Sequence, residues 1–456
     1  MPKTLEKIKN IYCVGIGGSG VSAIAAILKK SGKNVSGSDS NLSPTTEKLT
    51  LMGIPVQVGH NAKNPPDNTD LLIYSPAVNE DNTERIKAKQ LGIPQLSYPE
   101  AVGKLTKEKN TVAVCGTHGK TTVTSMVSSI FINAGKDPSV LVGSHIKELE
   151  NENHRLGKGE WLIIEACEYC RNFLNYHPYA IILNNIEADH LDYYKDSTDY
   201  ISAFHEFILK LPKKGLLIAN NEDQNTITLV KKIQNERQDI KIVTFGGKFG
   251  DFHVKDGQIL HQGKMIGILN MKIPGRHNVL NALGALALSI SIGIHSKAAI
   301  NAINNFSGAA RRFEFLGERD DTKIYSDYAH HPTEIKATLL AAREKFGDET
   351  KILAVFQPHQ YSRTYKLRNS FAKAFNQADM TIVSDIFMTR DSGNDISKID
   401  SEKLVKLIRT NNKNVQYGGD LNKTFKKTDS ILGQFDVVII MGAGNVDIIA
   451  KQLLTK

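Results

Sequence analysis

Short apolar, β-branched runs that break at a glycine and give way to a longer helical stretch recur along the whole chain. Residues 11–16 read as a strand and 21–30 as a helix, a second strand ends at Ser38 and Asp39, and a third covers 70–75. The alternation resumes where a run containing Val112 and Val114 breaks at Gly116 and a helix opens at Thr121. It continues in the apolar strands 161–164 and 180–183. Residues 240–270 form an irregular stretch with β character, followed by an alanine-rich helix, and strands at 323–326, 351–356, 380–383 and 436–441 carry the pattern on. Strands alternating with helices predict an α/β fold with mainly parallel sheets. The units are not a detectable sequence repeat.

Gly92-Ile93-Pro94 and the charged stretch 104–110 read as the close of one domain and a linker, and Ser307-Gly308 marks a second junction. The 456 residues exceed one hydrophobic core, since domains typically hold roughly 100 to 200 residues. Three domains are therefore expected, at 1–107, 108–309 and 310–456.

Composition is that of a globular protein, 41% hydrophobic and 23% charged. The longest apolar run, 282–294, is interrupted by glycine and serine and falls short of the roughly 20 residues a bilayer requires, so no membrane insertion is expected. Residues 1–10 carry lysines without a following apolar region and cleavage site, which predicts a cytoplasmic protein. Four cysteines give no disulfide framework: Cys13 and Cys115 fall in strands expected to be buried, and Cys167-x-x-Cys170 lacks a second pair. The net charge of +9 is spread in ones and twos among acids, which suits small anionic substrates and predicts no nucleic-acid partner.

Two glycine turns carry the candidate chemistry. Gly15-x-Gly17-Gly18-Ser19-Gly20 follows the first strand, with Asp39 about twenty residues on, which is the dinucleotide fingerprint. Its glycines admit a pyrophosphate at a helix start and Asp39 takes a ribose hydroxyl; the bland alternative is a turn that only packs strand on helix. Taken alone this loop points to NAD. The second turn, Gly116-Thr117-His118-Gly119-Lys120-Thr121-Thr122, is a shortened phosphate loop, because the first glycine of the general pattern is replaced by Val114. Lys120 supplies a point charge, and the Thr121 hydroxyl reaches a hard cation.

Downstream strands deliver Glu165-Ala166-Cys167-Glu168 and Asn184 to Asp192 at their carboxyl ends, so three strands aim polar ends at one crevice. Glu165 with Thr121 suits Mg²⁺ or Mn²⁺, and His190 suits a second ion; the alternatives are a helix-capping Glu165 and a structural His190. His277, Asn278 and Asn281 open the alanine-rich helix, where Asn278 and Asn281 share a face fit for an adenine edge, unless Asn278 is simply an N-cap. Arg311 and Arg312 reach phosphates or are solvated. Loops from Asp327 to Pro332 and from Gln357 to Arg363 are dense in acids, histidines and arginine. The turn Gly442-Ala443-Gly444 reads as packing.

Gly-Thr-His-Gly-Lys-Thr-Thr (116–122), Glu-Ala-Cys-Glu (165–168), Asn-Ile-Glu-Ala-Asp-His-Leu-Asp (185–192), Arg-His-Asn-x-x-Asn-Ala (276–282), Ala-Arg-Arg-Phe (310–313), Asp-Tyr-Ala-His-His-Pro-Thr-Glu (327–334) and Phe-Gln-Pro-His (356–359) occur in this order. Together they resemble the Mur ligase family of peptidoglycan synthesis, over essentially the whole chain. The resemblance implies a Rossmann-like amino-terminal domain for a UDP-sugar, a central ATPase domain of P-loop type and a Rossmann-like carboxyl-terminal domain that closes on ATP and amino acid. It implies ATP-dependent joining of L-alanine to UDP-N-acetylmuramate through an acyl phosphate, by a monomer or weak homodimer.

By this resemblance the first glycine loop (Gly17, Gly18, Ser19, Gly20), with Asp39 and Ser75, holds UDP. The residues from Gly116 to Thr122, with His277, Asn278, Asn281, Arg312 and Asp327, hold ATP. Lys120 meets the β- and γ-phosphates, Arg312 the γ-phosphate and Asp327 the ribose. Thr121 and Glu165 bind Mg²⁺ and His190 a second ion, while His330, His359 and Arg363 face the lactyl carboxylate and alanine, one imidazole serving as base.

Two departures stand out: Gln360 where alanine-adding members usually have Arg, and Tyr169-Cys170-Arg171 in place of a more acidic sequence. A family branch that attaches a recycled tripeptide to the same sugar is the nearest alternative. An NAD-dependent dehydrogenase would leave the phosphate loop without a task, and a P-loop nucleotide switch would leave the first loop without a ligand.

Overall fold

The computed structural model describes residues 5–389 and 391–455; residues 1–4, part of the amino-terminal stretch discussed above, lie outside the described residues. Among the described residues the strands assemble into three sheets. The first runs Val56–Val58, Asn34–Asp39, Asn10–Val14, Leu71–Tyr74, Gln95–Ser97, all parallel. Its order reverses at Asn10–Val14, and the carboxyl end of such a switch point is where an open α/β sheet takes ligands. That strand stops two residues earlier than its apolar run, because Gly15 turns at φ +73°.

The second sheet runs Lys264–Ile268, Gln258–His261, Phe252–Lys255, Lys241–Gly246, Leu216–Asn220, Ala180–Leu183, Asn110–Cys115, Trp161–Glu165, Ser139–Ile146, Glu152–Arg155, with parallel central pairs and antiparallel edges. Asn110–Cys115 lies between Ala180–Leu183 and Trp161–Glu165, so the three strand ends singled out in the sequence are neighbours. The irregular stretch 240–270 resolves into two strands paired in parallel, Lys241–Gly246 and Phe252–Lys255, and an antiparallel continuation whose turns, Asp256-Gly257 and Gln262-Gly263, all have positive φ. Two-residue turns of that conformation match the twist of a hairpin. The strand Glu152–Arg155 is polar and escapes a pattern search; pairing with Ser139–Ile146 makes it a strand.

These two sheets belong to one compact unit, Met1–Glu187, Thr198–Asn270 and Asn281–Asn304; a second unit comprises Ala188–Ser197, Met271–Leu280 and Asn305–Lys456. The sheet of the second unit runs Glu314–Arg319, Thr322–Asp327, Val437–Met441, Ile352–Phe356, Met380–Ser384, Val415–Gly419, parallel except for its first pair. Ile352, Ala354 and Phe356 pack with Ile335, Leu339 and Phe371 on one face, while Leu353 and Val355 pack with Val438 and Ile449 on the other. A strand buried on both sides reads as an unbroken apolar run for this reason. Among the described residues no helix is long and apolar enough to cross a membrane.

Candidate active site

In the first unit the turn 116–119 joins the central strand Asn110–Cys115 to the helix Lys120–Asn133. Gly119 caps that helix in the left-handed region, at φ +82°, and a Cβ there would run into Asn184 Nδ2 and Asn281 Oδ1. The loop backbone is pinned by neighbouring strand ends. His118 N–H donates to Asn185 Oδ1 at 2.8 Å, and the His118 carbonyl accepts from Asn184 and Asn185. The His118 ring meets Glu187 at 2.8 Å. Asn281 accepts from Asn184 Nδ2 at 2.9 Å, which fixes its amide. Thr122 is buried in the first helical turn.

Lys120 Nζ donates to the Gly116 and Thr117 carbonyls, at 2.6 and 3.0 Å, and to the Glu168 carboxylate, at 2.9 Å from Oε2. Burial works against the ammonium, but Glu168, together with Cys167 and Glu165, outweighs it and holds Lys120 above the usual lysine range. Glu168 is fully buried and also accepts from Tyr200, whose hydroxyl pairs with Thr117 Oγ1 at 2.9 Å. Neither Glu168 nor Tyr200 was assigned a role from the sequence. Glu168 was visible in its motif, whereas nothing local marks Tyr200, which reaches the loop only through the fold.

Thr121 Oγ1 donates to Glu165 Oε2 at 2.9 Å, and Gly143 N–H donates to the same oxygen at 2.8 Å. Glu165 therefore faces the phosphate loop and does not cap a following helix. A hydroxyl and a carboxylate in contact form a donor set of hard oxygens, which fits Mg²⁺. At the first glycine loop, Asp39 accepts from Gly17 N–H at 2.8 Å, so the carboxylate read as a ribose ligand also braces the turn. Gly20 lies against the Tyr98 ring, where a Cβ would come within 2.8 Å. A cavity of about 310 Å³ is lined by Gly18, Ser19, Gly20 and Ser75, and also by Gly143 and Glu165. A second, of about 560 Å³, opens on Gly17, Asp39 and Ser75. Cys167 is a free thiol, and burial pushes it up to about 12.

The second unit gathers the other candidates. Asp327 accepts from Phe313 N–H and Ala329 N–H, each at 2.7 Å, and burial pushes its carboxyl up to about 6 against the pull of Arg312. Arg311 and Arg312 divide their roles. Arg311 donates to the carbonyls of Gly442 and Gly444, tying down the turn read as packing, while Arg312 lies 5.1 Å from the Tyr328 ring centre. Burial, assisted by Arg312, lowers His277 to about 4. Asn278 lies inside the helix Arg276–Ser291 and donates to the Pro274 carbonyl at 2.7 Å, so it is not the N-cap.

His330 and His359 stand 5.9 Å apart by ring centres. Burial lowers His330 to about 4, with Glu334 opposing and Arg363 assisting, and its Nδ1 faces the Tyr328 carbonyl at 3.0 Å. His359 Nδ1 accepts from Arg363 Nη1 at 3.2 Å. Because guanidinium only donates, that imidazole carries its proton on Nε2. His190 adopts φ +52°, next to Asp189, which holds Arg363. His331 caps its helix by accepting from Thr333 N–H, a structural task.

Three family descriptions tile the chain in order: "Mur ligase family, catalytic domain" at residues 10–110, "Mur ligase middle domain" at 114–289 and "Mur ligase, glutamate ligase domain" at 311–444. The chain belongs to the Mur ligase family. Among curated Mur ligases it is 40% identical over 454 residues to the UDP-N-acetylmuramate–L-alanine ligase of Persephonella marina, covering 98% of this chain and 96% of that one. Among solved structures, the UDP-N-acetylmuramate-alanine ligase of Thermotoga maritima superposes with a TM-score of 0.81 at 30% identity, covering 98% of both chains. A murein peptide ligase from Psychrobacter arcticus gives 0.72 at 25% identity, again covering 98% of both.

Proposed function

We propose that this Mur ligase uses ATP to join L-alanine to the lactyl carboxylate of UDP-N-acetylmuramate, releasing ADP and phosphate. The observation that carries the reading is the 310 Å³ cavity: glycine-loop residues line it together with Glu165, whose carboxylate holds Thr121 of the phosphate loop. A sugar nucleotide with its pyrophosphate on the glycine loop would extend its sugar toward the phosphate loop. Of the two solved structures, the alanine ligase is more similar than the murein peptide ligase, 30% against 25% identity and a TM-score of 0.81 against 0.72, which favours alanine over a tripeptide. The domain boundaries proposed remain 1–107, 108–309 and 310–456, each of which contains one sheet.

A carboxylate resists attack by an amine, so activation comes first. The lactyl oxygen attacks the γ-phosphorus of ATP and displaces ADP; alanine, as its unprotonated amine, then attacks the acyl carbon, and phosphate leaves from the tetrahedral intermediate while the surplus amine proton passes to solvent or to the departing phosphate. Lys120 offsets charge on the phosphates, and Thr121 and Glu165 would hold Mg²⁺, which supplies further charge neutralisation when bound. Arg312 on the γ-phosphate, Asp327 on the ribose, Asn278 and Asn281 on adenine, and His190 on a second ion rest on the sequence motifs. His330, lowered to about 4, is a weak base at neutral pH, and His359 Nδ1 is occupied by Arg363. The reading therefore gives both imidazoles the task of orienting the amino acid, in place of the proton-accepting role expected from sequence.

The test is ADP release with UDP-N-acetylmuramate while the nucleophile is varied. L-Alanine should stimulate release; stimulation by the tripeptide alone would move the protein to the recycling branch, and none by either would discard the ligase reading.

A further inference from the structure

An ammonium has three N–H donors, and all three of Lys120 are taken, by the Gly116 carbonyl, the Thr117 carbonyl and the Glu168 carboxylate. Two of these acceptors belong to the loop itself. The third is a fully buried carboxylate from a different strand end, held in turn by Tyr200, which bonds Thr117 of the same loop. The contact is thus built on both sides: the loop grips the network that grips its lysine. A buried ion pair of this kind is expensive to break by removing one partner, because the other charge is left without compensation.

We propose that Glu168 is a positioning residue that acts as an internal stand-in for phosphate: it holds Lys120 in the nucleotide-free loop and gives the lysine up when a nucleotide enters. The inference rests on the reading of Lys120 as a phosphate ligand. Glu168 keeps the ammonium ordered while no nucleotide is bound, and each nucleotide must displace it. Nucleotide affinity is consequently lower than the bare loop would give, which favours release of ADP after turnover.

The test measures calorimetric binding of a non-hydrolysable ATP analogue, with Mg²⁺, to wild type, Glu168→Gln, Lys120→Met and the double variant. Glu168→Gln is expected to bind about tenfold tighter, equivalent to about 1.4 kcal/mol. Its nucleotide-free form should melt lower and gain more from the ligand than wild type does. In the Lys120→Met background the tightening should vanish, since there is no ammonium to release. Tightening that persists there would mean simple repulsion between Glu168 and the phosphates and would overturn the proposal, as would unchanged or weaker binding by Glu168→Gln. If Lys120→Met binds as wild type does, the phosphate-loop reading itself fails. Should Glu168→Gln not fold, Glu168→Asp, one methylene shorter, is expected to tighten binding about threefold, and no change would count against the stand-in role.

Discussion

Arg363 lays two guanidinium nitrogens on a single oxygen of Asp189, Nε at 3.2 Å and Nη2 at 3.1 Å, and both side chains are at most 10% exposed. Burial alone would raise the Asp189 carboxyl, but Arg363, with His190, His330 and the His190 backbone N–H, outweighs it and leaves it below the usual carboxylate range. Stability from this pair is therefore present above the ordinary aspartate value and fades as pH falls below it. Asp189→Ala should destabilise the second unit by about 3–5 kcal/mol, because Arg363 is left buried and unpaired. Asp189→Leu combined with Arg363→Met should recover most of that in urea denaturation. A loss under about 1 kcal/mol for Asp189→Ala would mean the pair is solvated.

Asp327 has the opposite sign. Its folded value, about 6, lies above the ordinary aspartate value, so its contribution is full below that ordinary value and is lost as pH rises through 6. Asp327→Asn should lose one hydrogen bond at every pH yet gain on wild type between roughly pH 4 and 6, by up to about 3 kcal/mol. Parallel melting curves across that range would show that the carboxyl is not raised.

Glu165 and Thr121 offer hard oxygens to a divalent cation. Glu165→Gln is expected to raise the Mg²⁺ concentration for half-maximal ADP release by about tenfold or more and to lower kcat by about 10². A wild-type Mg²⁺ titration in this variant would remove Glu165 from the metal site.

Gly119 combines a left-handed backbone with a Cβ position blocked by Asn184 and Asn281. Gly119→Ala should cost about 1–3 kcal/mol in the strained backbone and weaken nucleotide binding by displacing the pinned loop. Calorimetry on the folded variant checks the second effect: unchanged affinity would show that the turn tolerates a side chain.

Local pattern alone determined the α/β class, the two glycine turns and the order of the motifs, because strand periodicity, a turn that only glycine allows and a short ligand-binding run are each written within a few neighbouring residues. Val112 and Val114 before Gly116, or Ile352 to Phe356 as an unbroken apolar run, need no partner to be read. The tertiary structure decided which oxygen each side chain meets. It paired Lys120 with Glu168 and Tyr200, turned Asp39 back onto Gly17, separated Arg311 from Arg312 and made a strand of the polar Glu152–Arg155. Those outcomes depend on burial and on partners up to 133 residues away in the chain, and an ionisable group's charge and hydrogen bonds follow its surroundings in space, not its neighbours in sequence.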